Sequence, residues 1–197
     1  MADSLTATKE MCYLCFEALE NACKKTKANV VQSAVVNSQD HTKCPMFVTW
    51  FKDGELRGCI GTFGKQPLYQ GLMEYAVISG MRDHRFSPMK VNELSHLKCE
   101  ISLLHSFEDA QNVYDWEVGK HGITLTIDGC NATFLPEVAR EQGWDKDTTL
   151  DYLAQKGGFY KKFDEKAKSR AKLERYQSTI CYATWDEYQE FLKVHSS

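Results

Sequence analysis

The sequence predicts an α+β fold, an antiparallel, hairpin-rich sheet with flanking helices. Asp53-Gly54 and Asp128-Gly129 each separate two apolar runs, which is the strongest short signal for a β-hairpin. Apolar residues recur every three or four positions in other stretches, the spacing of one helix face. Strands and helices do not follow each other in the regular alternation that builds a parallel sheet.

The first half of the chain predicts a helix, a hairpin and a second helix. Both helices follow from the three- and four-residue apolar spacing, and a proline stands at the start of the second, where its missing N–H costs little. The hairpin strands are the apolar runs on either side of the first Asp-Gly turn. The expected elements are a helix from Thr6 to about Thr26, strands at 46–51 and 55–62, and a helix from Pro67 to about Arg82.

The second half predicts further strands and short helices after a loop at 83–88. Strict alternation of apolar residues identifies one strand, and the second Asp-Gly turn joins it to the next. A Gly-Gly pair ends one of the helices. The expected elements are strands at 98–105, 123–127, 132–135 and 176–184, and helices at 137–142, 148–155 and 185–194.

A chain of 197 residues suits one domain, or one domain with a small lobe. Its net charge of −3 argues against nucleic-acid binding over the whole surface. The first residues lack the pattern of a secretory leader, and no apolar stretch reaches the roughly eighteen residues of a membrane helix. We expect an intracellular protein, cytoplasmic or nuclear, without membrane contact. The eight cysteines lack a framework spacing, so reduced thiols are expected.

The hexapeptide LRGCIG, residues 56–61, is the most informative motif of the chain. It places a cysteine between two glycines, shortly after an arginine and inside a predicted strand. Glycines let another group approach the backbone closely, and a neighbouring guanidinium favours the thiolate form of a cysteine. The motif is Leu56, Arg57, Gly58, Cys59, Ile60 and Gly61.

The order of several motifs resembles that of the AMMECR family, named for the AMME syndrome candidate region protein. The resemblance spans roughly residues 8–194. Its motifs are LRGCIG at 56–61, DHRFSP at 83–88, His121-Gly122, LPEVA at 135–139 with Glu141 and Trp144-Asp145, KGG at 156–158, and RYQS at 175–178.

The resemblance implies one α+β domain over 1–197, with its core at about 8–194 and a larger and a smaller lobe around a cleft. The family occurs in archaea, bacteria and eukaryotes and has no established reaction. The chain resembles a short eukaryotic member without the Ser/Gly-rich N-terminal extension of the vertebrate ones. Prokaryotic members are associated with Memo-type and radical-SAM partners, which indicates enzymatic chemistry without naming a substrate.

The residues themselves suggest a thiol nucleophile, Cys59, with Arg57 as electrostatic support and the amides of Ile60 and Gly61 as donors to an oxyanion. Strand alternation places Arg57, Cys59 and Gly61 on one face. The alternative is that the glycines meet a close packing requirement and the cysteine is a small apolar filler. The two alternatives differ in whether that face looks into a cleft or into the core.

A thiol nucleophile needs a base, and His121 is the best candidate because it precedes a strand in a glycine-rich turn. His84 is the second choice. Glu137, in the first turn of a helix, could orient the histidine or act as a general acid. The alternatives are a turn histidine bonded to the backbone and a glutamate that complements the helix dipole. Arg85 is either an anion clamp or the ion-pair partner of Asp83.

The predicted site thus has two parts and no cofactor or metal. The catalytic candidates are Cys59, His121 and Glu137, and the substrate-binding candidates are Leu56, Arg57, Gly58, Ile60, Gly61 and Arg85. Cys12 and Cys15 form a C-x-x-C pair, but they fall on the apolar stripe of the first helix and have no ligands at metal spacing. Core packing is the better interpretation of this pair.

The segment 161–175 holds seven basic and three acidic residues, a local basic excess in an acidic chain. It is either a nucleic-acid or nuclear-import patch or a solvated linker of mixed charge.

Two hypotheses of function follow. The first is a cleft that binds a small molecule or a modified peptide and performs cysteine-dependent chemistry. The second is a non-catalytic regulatory or protein-interaction module, nuclear or cytosolic, with weak nucleic-acid contact, although nucleic acid is not the expected partner.

Overall fold

The computed structural model describes residues 5–36 and 41–195 and confirms the α+β class. Apart from a 3-10 helix at Val91–His96, the helices in these residues are α1 (Lys9–Lys24), α2 (Val30–Val35), α3 (Leu68–Met81), α4 (Pro136–Gln142), α5 (Lys146–Lys156), α6 (Glu165–Lys168) and α7 (Trp185–His195). The strands are β1 (Lys43–Lys52), β2 (Glu55–Pro67), β3 (Leu97–Asp109), β4 (Gly122–Ile127), β5 (Cys130–Phe134) and β6 (Lys172–Thr184).

The strands form a sheet in the order β2-β1-β3-β6-β4-β5. β1 pairs antiparallel with β2 and β3, and β4 pairs antiparallel with β5 and β6. Both Asp-Gly turns join hairpin strands as predicted, with positive φ at Asp53 and Gly54 and at Asp128 and Gly129. Positive φ at both central residues is the geometry that fits the twist of the flanking strands.

The chain divides into two compact units. The first unit comprises residues 1–103 and 179–197, and the second comprises residues 104–178. β3 and β6 contribute residues to both units. No helix within 5–36 and 41–195 is long and apolar enough to cross a membrane.

The core of the first unit lies between α1, α3, α7 and one face of β1 and β3. Phe16 of α1 meets the Trp50 ring edge-on at 5.0 Å and stacks on Tyr188 at 5.5 Å. The Trp50 indole donates a hydrogen bond to the Ala76 carbonyl at 3.1 Å, which satisfies its polar atom in the core. Cys12 and Cys15 are fully buried in this core, as expected from the apolar stripe.

The core of the second unit lies between β4, α4 and α5, with Trp116, Phe159 and Phe163 around it. β4 supplies Ile123, Leu125 and Ile127, which alternate inward as the sequence predicts.

Two of the elements that the sequence did not predict, α2 and α6, are stabilised at one end by carboxylate side chains. α2 was not predicted; the buried Glu17 carboxylate of α1 accepts the N–H groups of Val31 and Gln32, both at 2.9 Å. α6 lies within the segment expected as a linker, and the Asp164 carboxylate caps it by accepting the Ala167 N–H at 2.9 Å.

Candidate functional site

Cys59 lies on β2, the edge strand of the sheet, and its face is opposite to the core. Its partner across the hairpin is Thr49, whereas the neighbouring pair, Gly58 and Trp50, faces the core. Side chains alternate along a strand, so Cys59 and Gly61 share the non-core face. The Cys59 side chain is only partly buried there.

A bulge at Arg57 determines this orientation. Across the hairpin, Lys52 pairs with Glu55 and Phe51 pairs with Leu56. The pairing then skips Arg57, so that Trp50 lies opposite Gly58. Without the extra residue, Arg57 would stand opposite Trp50 and point into the core. The side chains therefore do not alternate strictly at Arg57. The prediction that Arg57 and Cys59 share one face of the strand does not hold from strand geometry alone.

The backbone of Cys59 is bonded by the loop that follows α3. Its N–H donates to Asp83 Oδ2 at 3.0 Å, and its carbonyl accepts from Arg85 Nη2 at 3.1 Å. These groups point out of the sheet edge, and the loop satisfies them as a neighbouring strand would. Backbone groups alternate in direction along an antiparallel strand, so the N–H of Ile60 points toward β1 and is used by the ladder.

Asp83 is the centre of this loop contact. Only 6% of the residue is exposed, and its carboxylate also accepts from the backbone N–H, Nε and Nη2 of Arg85 at 3.1, 3.0 and 2.7 Å. Arg85 first, and then the N–H groups of Cys59 and Arg85, hold the pKa of Asp83 well below its usual range although burial opposes them. Asp83 therefore fixes Arg85 against β2 as a charged pair.

Arg57 bonds with Glu93 rather than with the cysteine. Its Nε and Nη2 donate to the two Glu93 carboxylate oxygens at 3.0 and 3.1 Å, and Nη2 also donates to the Ser87 carbonyl at 2.9 Å. Arg57, with Lys52 and a backbone N–H, lowers the pKa of Glu93 to about 2. Arg57 Nη1 is buried and has no hydrogen-bond partner among the residues that the structure describes.

The sulfur of Cys59 has two polar neighbours that could support a thiolate. The Thr49 hydroxyl lies 3.1 Å from Sγ and can donate to it. Asp83 raises the pKa of Arg85, and negative charge on Cys59 raises it further, so the guanidinium and a thiolate attract each other. The arginine that contacts Cys59 is thus Arg85, whereas the sequence suggested Arg57.

Both motif glycines are explained by close packing. A Cβ at Gly58 would lie 2.3 Å from the Ser79 carbonyl oxygen of α3, and a Cβ at Gly61 would lie 2.2 Å from the Met46 carbonyl oxygen. Such distances are far below van der Waals contact. This is the packing role that the sequence left open for the glycines, and it does not decide the role of Cys59.

His121 lies in the second unit, in the turn before β4. It is 6% exposed, and its Nδ1 accepts the Glu117 backbone N–H at 2.9 Å. Burial first, then Arg175 and Lys120, lowers the pKa of His121, so the ring is neutral near pH 7 and carries its proton on Nε2. The contact is that of a turn histidine bonded to the backbone.

Glu137 also lies in the second unit, in the first turn of α4. It is close enough to Tyr176 that its charge, after burial, helps to raise the pKa of that phenol. The Tyr176 hydroxyl donates to the Phe134 carbonyl at 2.9 Å, and its ring fills the space in front of Gly122, where a Cβ would lie 2.3 Å from it. Two motifs of the resemblance therefore meet across the β4–β6 register.

The structure thus brings the six LRGCIG residues and Arg85 together in the first unit, and it places His121 and Glu137 in the second. Leu56, also a binding candidate, is 40% exposed on β2. Sequence reasoning missed Thr49, because the unbulged hairpin register pairs it with Gly58, and it missed Glu93. Among residues 5–36 and 41–195, no three His, Cys, Asp or Glu side chains are arranged to hold a metal ion.

Comparison with known proteins gives a consistent result. The AMMECR1 family model matches residues 12–181. An uncharacterised protein of Arabidopsis thaliana is 36% identical over 96% of this chain and 91% of its own length. An uncharacterised protein of Schizosaccharomyces pombe is 35% identical over 94% of this chain and 97% of its own. The crystal structure of an uncharacterised Pyrococcus horikoshii protein has the same fold, with a TM-score of 0.68, 24% identity and coverage of 90% of this chain and 93% of that one.

Proposed function

The chain belongs to the AMMECR1 family, and from the geometry of its first unit we propose that it binds a small electrophilic molecule or a modified peptide beside β2, with Cys59 as the nucleophile. The observation that carries the proposal is the placement of Cys59 Sγ, partly exposed on the non-core face with the Thr49 hydroxyl at 3.1 Å. A cysteine that served only as filler would be expected on the core face, as Cys12 and Cys15 are.

The chemistry requires a thiolate, and one hydroxyl donor and one cation lie beside Cys59. A hydrogen bond to a charged acceptor contributes about 1.5–3 kcal/mol, which the Thr49 hydroxyl can supply. Arg85 adds a positive charge whose position is set by three contacts to the Asp83 carboxylate. The thiol proton passes to a base, and the thiolate then forms a C–S bond while an electron pair moves onto the ligand's oxygen or leaving group.

The charges nearby favour a ligand that carries a carboxylate or a phosphate. The Arg85 side chain is 56% exposed, so part of its guanidinium can meet a ligand while the rest holds Asp83. Binding of the ligand's anionic group is thus assigned to Arg85.

The sequence-based candidate for the base, His121 with Glu137 as its support, lies in the second unit and stays a prediction. In the observed state Nδ1 accepts from Glu117 and Nε2 carries the proton, so His121 acts as a base only after Nδ1 releases the Glu117 N–H. Mutation of His121 therefore tests the base while the nucleophile, Cys59, is left unchanged.

The test is the rate of Cys59 alkylation by iodoacetamide near neutral pH, read by peptide mass spectrometry. Thr49→Val and Arg85→Gln are each expected to slow Cys59 about three- to tenfold, because each removes one thiolate-supporting group. Cys130, a partly exposed thiol of the second unit, is the internal reference and should not change. Arg82→Gln is the matched control, since Arg82 is exposed and the charge change is the same.

The outcomes separate the roles. If Arg85→Gln slows Cys59 no more than Arg82→Gln, and Thr49→Val has no effect, the thiolate-supporting site is refuted. If His121→Gln leaves the rate unchanged while the other two variants slow it, His121 is not the base and the nucleophile stands. Arg85→Lys, which keeps the charge, should retain more of the rate than Arg85→Gln.

A second candidate function is a non-catalytic module with weak single-stranded nucleic-acid contact. It is favoured by Tyr160, which is 85% exposed and lines a cavity of about 260 Å³ with Lys161 and Lys162. Exposed aromatic rings stack on bases, and lysines contact phosphates. Three basic residues of 161–175 are already paired with acids: Lys168, Arg170 and Arg175.

The test of this candidate is binding of fluorescein-labelled single-stranded RNA at rising salt. Contact through the segment predicts weak binding that falls steeply with salt and is lost in Lys161→Glu/Lys162→Glu. Binding that the double variant leaves intact would refute a contact through these lysines.

A further inference from the structure

Two cavities flank Phe191 on the first unit, where α7 meets α1. One, of about 560 Å³, is bordered by α1, α2, α3 and α7, with Met11, Val35 and Tyr69 among its lining residues. The other, of about 510 Å³, lies between α1 and α7 and is lined by residues that include Tyr13 and Val194. Both cavities share Glu10, Phe191 and His195, so they form one groove with Phe191 on its floor.

The floor of this α1–α7 groove is apolar and partly uncovered. Val194 is 72% exposed, which is unusual for a large apolar side chain, and it lies beside Phe191 on the lining of the same cavity. The Phe191 ring packs against Tyr13 at 5.1 Å and stacks on His195 at 4.0 Å, so aromatic rings form much of the floor. An apolar surface with a polar rim is typical of a protein interaction site.

The rim is acidic. Glu10, Asp186, Glu187 and Glu190 line the second cavity, and no lysine or arginine lines either one. Lys9 and Lys193 neutralise two of these carboxylates from outside the groove, through Glu187 and Glu190. Glu10 and Asp186 form no ion pair with any residue of 5–36 and 41–195. The groove therefore keeps uncompensated negative charge beside apolar surface.

We propose that the α1–α7 groove is a docking site for a basic amphipathic helix of another protein. The lining residues of α7 run from Asp186 to His195, a length of about 14 Å at 1.5 Å per residue. A helix laid along this groove presents apolar side chains at i, i+3 or i+4 and i+7, which match two adjoining cavities. Lysine or arginine side chains beside them would meet Glu10 and Asp186, which gives charge complementarity.

The probe is a fluorescein-labelled peptide of about 18 residues, five turns, in which leucine and lysine are patterned as an amphipathic helix. Its binding to the full chain is measured by fluorescence anisotropy. A peptide with glutamate in place of lysine is expected to bind at least about tenfold more weakly, because its charge repels the rim. Glu10→Lys/Asp186→Lys should weaken the lysine peptide at least about tenfold for the same reason.

The control has the same change in net charge. Glu55→Lys/Asp109→Lys alters two exposed carboxylates outside the groove and should stay within about twofold of the wild type. Val194→Ser keeps the charge and removes apolar area, so it should weaken binding about threefold or more. Glu10→Gln/Asp186→Asn repeats the charge test with neutral side chains, in case charge reversal disturbs the fold, which circular dichroism monitors.

The proposal is overturned if the lysine peptide does not bind, if the groove and control variants bind it alike, or if Val194→Ser has no effect. The last result would mean that the peptide is held by charge alone. Sedimentation velocity of the chain without peptide tests a different occupant. Self-association that Glu10→Lys/Asp186→Lys abolishes would assign the groove to a second copy and overturn the proposal of a foreign helix.

Discussion

Gly58→Ala tests the close packing of the LRGCIG strand against α3. The added Cβ would lie 2.3 Å from the Ser79 carbonyl oxygen. Heavy atoms not bonded to each other settle near about 3.5 Å, so strand and helix must separate by roughly 1 Å. Overpacking of this kind costs about 1–3 kcal/mol, and a backbone obstacle places Gly58→Ala at the upper end. The lower entropy of the unfolded alanine chain offsets about 0.4–1 kcal/mol, which leaves a loss of about 2 kcal/mol.

The assay is urea unfolding followed by far-UV circular dichroism. With a slope of about 2 kcal/mol per molar, the midpoint should fall by about 1 M. Gly64→Ala is the matched control in the same strand, because its Cβ would meet side chains and no backbone: the Thr62 hydroxyl at 3.3 Å and the Gln66 amide nitrogen at 3.7 Å. If the midpoints of Gly58→Ala and Gly64→Ala agree within about 0.2 M, close packing is not the reason for the glycine.

Two further predictions concern the charges that hold the loop against β2. Asp83→Asn removes the carboxylate that binds Cys59 and Arg85, and it should lower the unfolding free energy by about 2–4 kcal/mol, since hydrogen bonds to a charged group contribute about 1.5–3 kcal/mol and the buried donors lose their acceptor. Asp109→Asn, an exposed control, should have an unfolding free energy within about 0.5 kcal/mol of the wild type. An equal loss in both variants would contradict the prediction. The Glu93 carboxyl has a pKa of about 2 in the folded chain, below its unfolded value of about 4.3, so the stability it adds is present above pH 4.3 and is lost as the pH falls toward 2. Glu93→Gln should flatten the fall in urea midpoint over that pH range, and an unchanged slope would show that Glu93 does not carry it.

Local chemistry made much of the fold predictable. The hairpins follow from Asp53-Gly54 and Asp128-Gly129, whose positive φ angles suit those residues. The apolar stripe of α1 correctly placed Cys12 and Cys15 in the core. These features depend on neighbours in sequence, which a pattern can report.

The remainder depends on contacts between distant residues. The short helix α2 is supported by Glu17, thirteen or more positions earlier in the chain, and no local pattern contains that carboxylate. The bulge at Arg57 shifted the register by one residue, so the sequence could not pair Thr49 with Cys59. Arg85, chosen as an anion clamp or an ion-pair partner, is paired with Asp83.

The candidate site was also only partly predictable from the sequence. The sequence identified Cys59 and Arg85, which the structure brings together at the edge strand. It assigned the supporting charge to Arg57, which instead pairs with Glu93, because a sequence neighbour two positions away need not share a face across a bulge. The catalytic roles of Cys59, His121 and Glu137 stay predictions.

The most direct test of the central claim is the relative alkylation rate of the cysteines in one sample of the native chain near neutral pH. Cys23 and Cys181 are also partly buried, and burial raises the pKa of both thiols, whereas Cys59 has Thr49 and Arg85 beside it. Cys59 is therefore expected to react with iodoacetamide at least about tenfold faster than either of them, and faster still than the buried Cys12 and Cys15. A Cys59 that reacts no faster than Cys12 and Cys15 would contradict the claim that it is a reachable nucleophile.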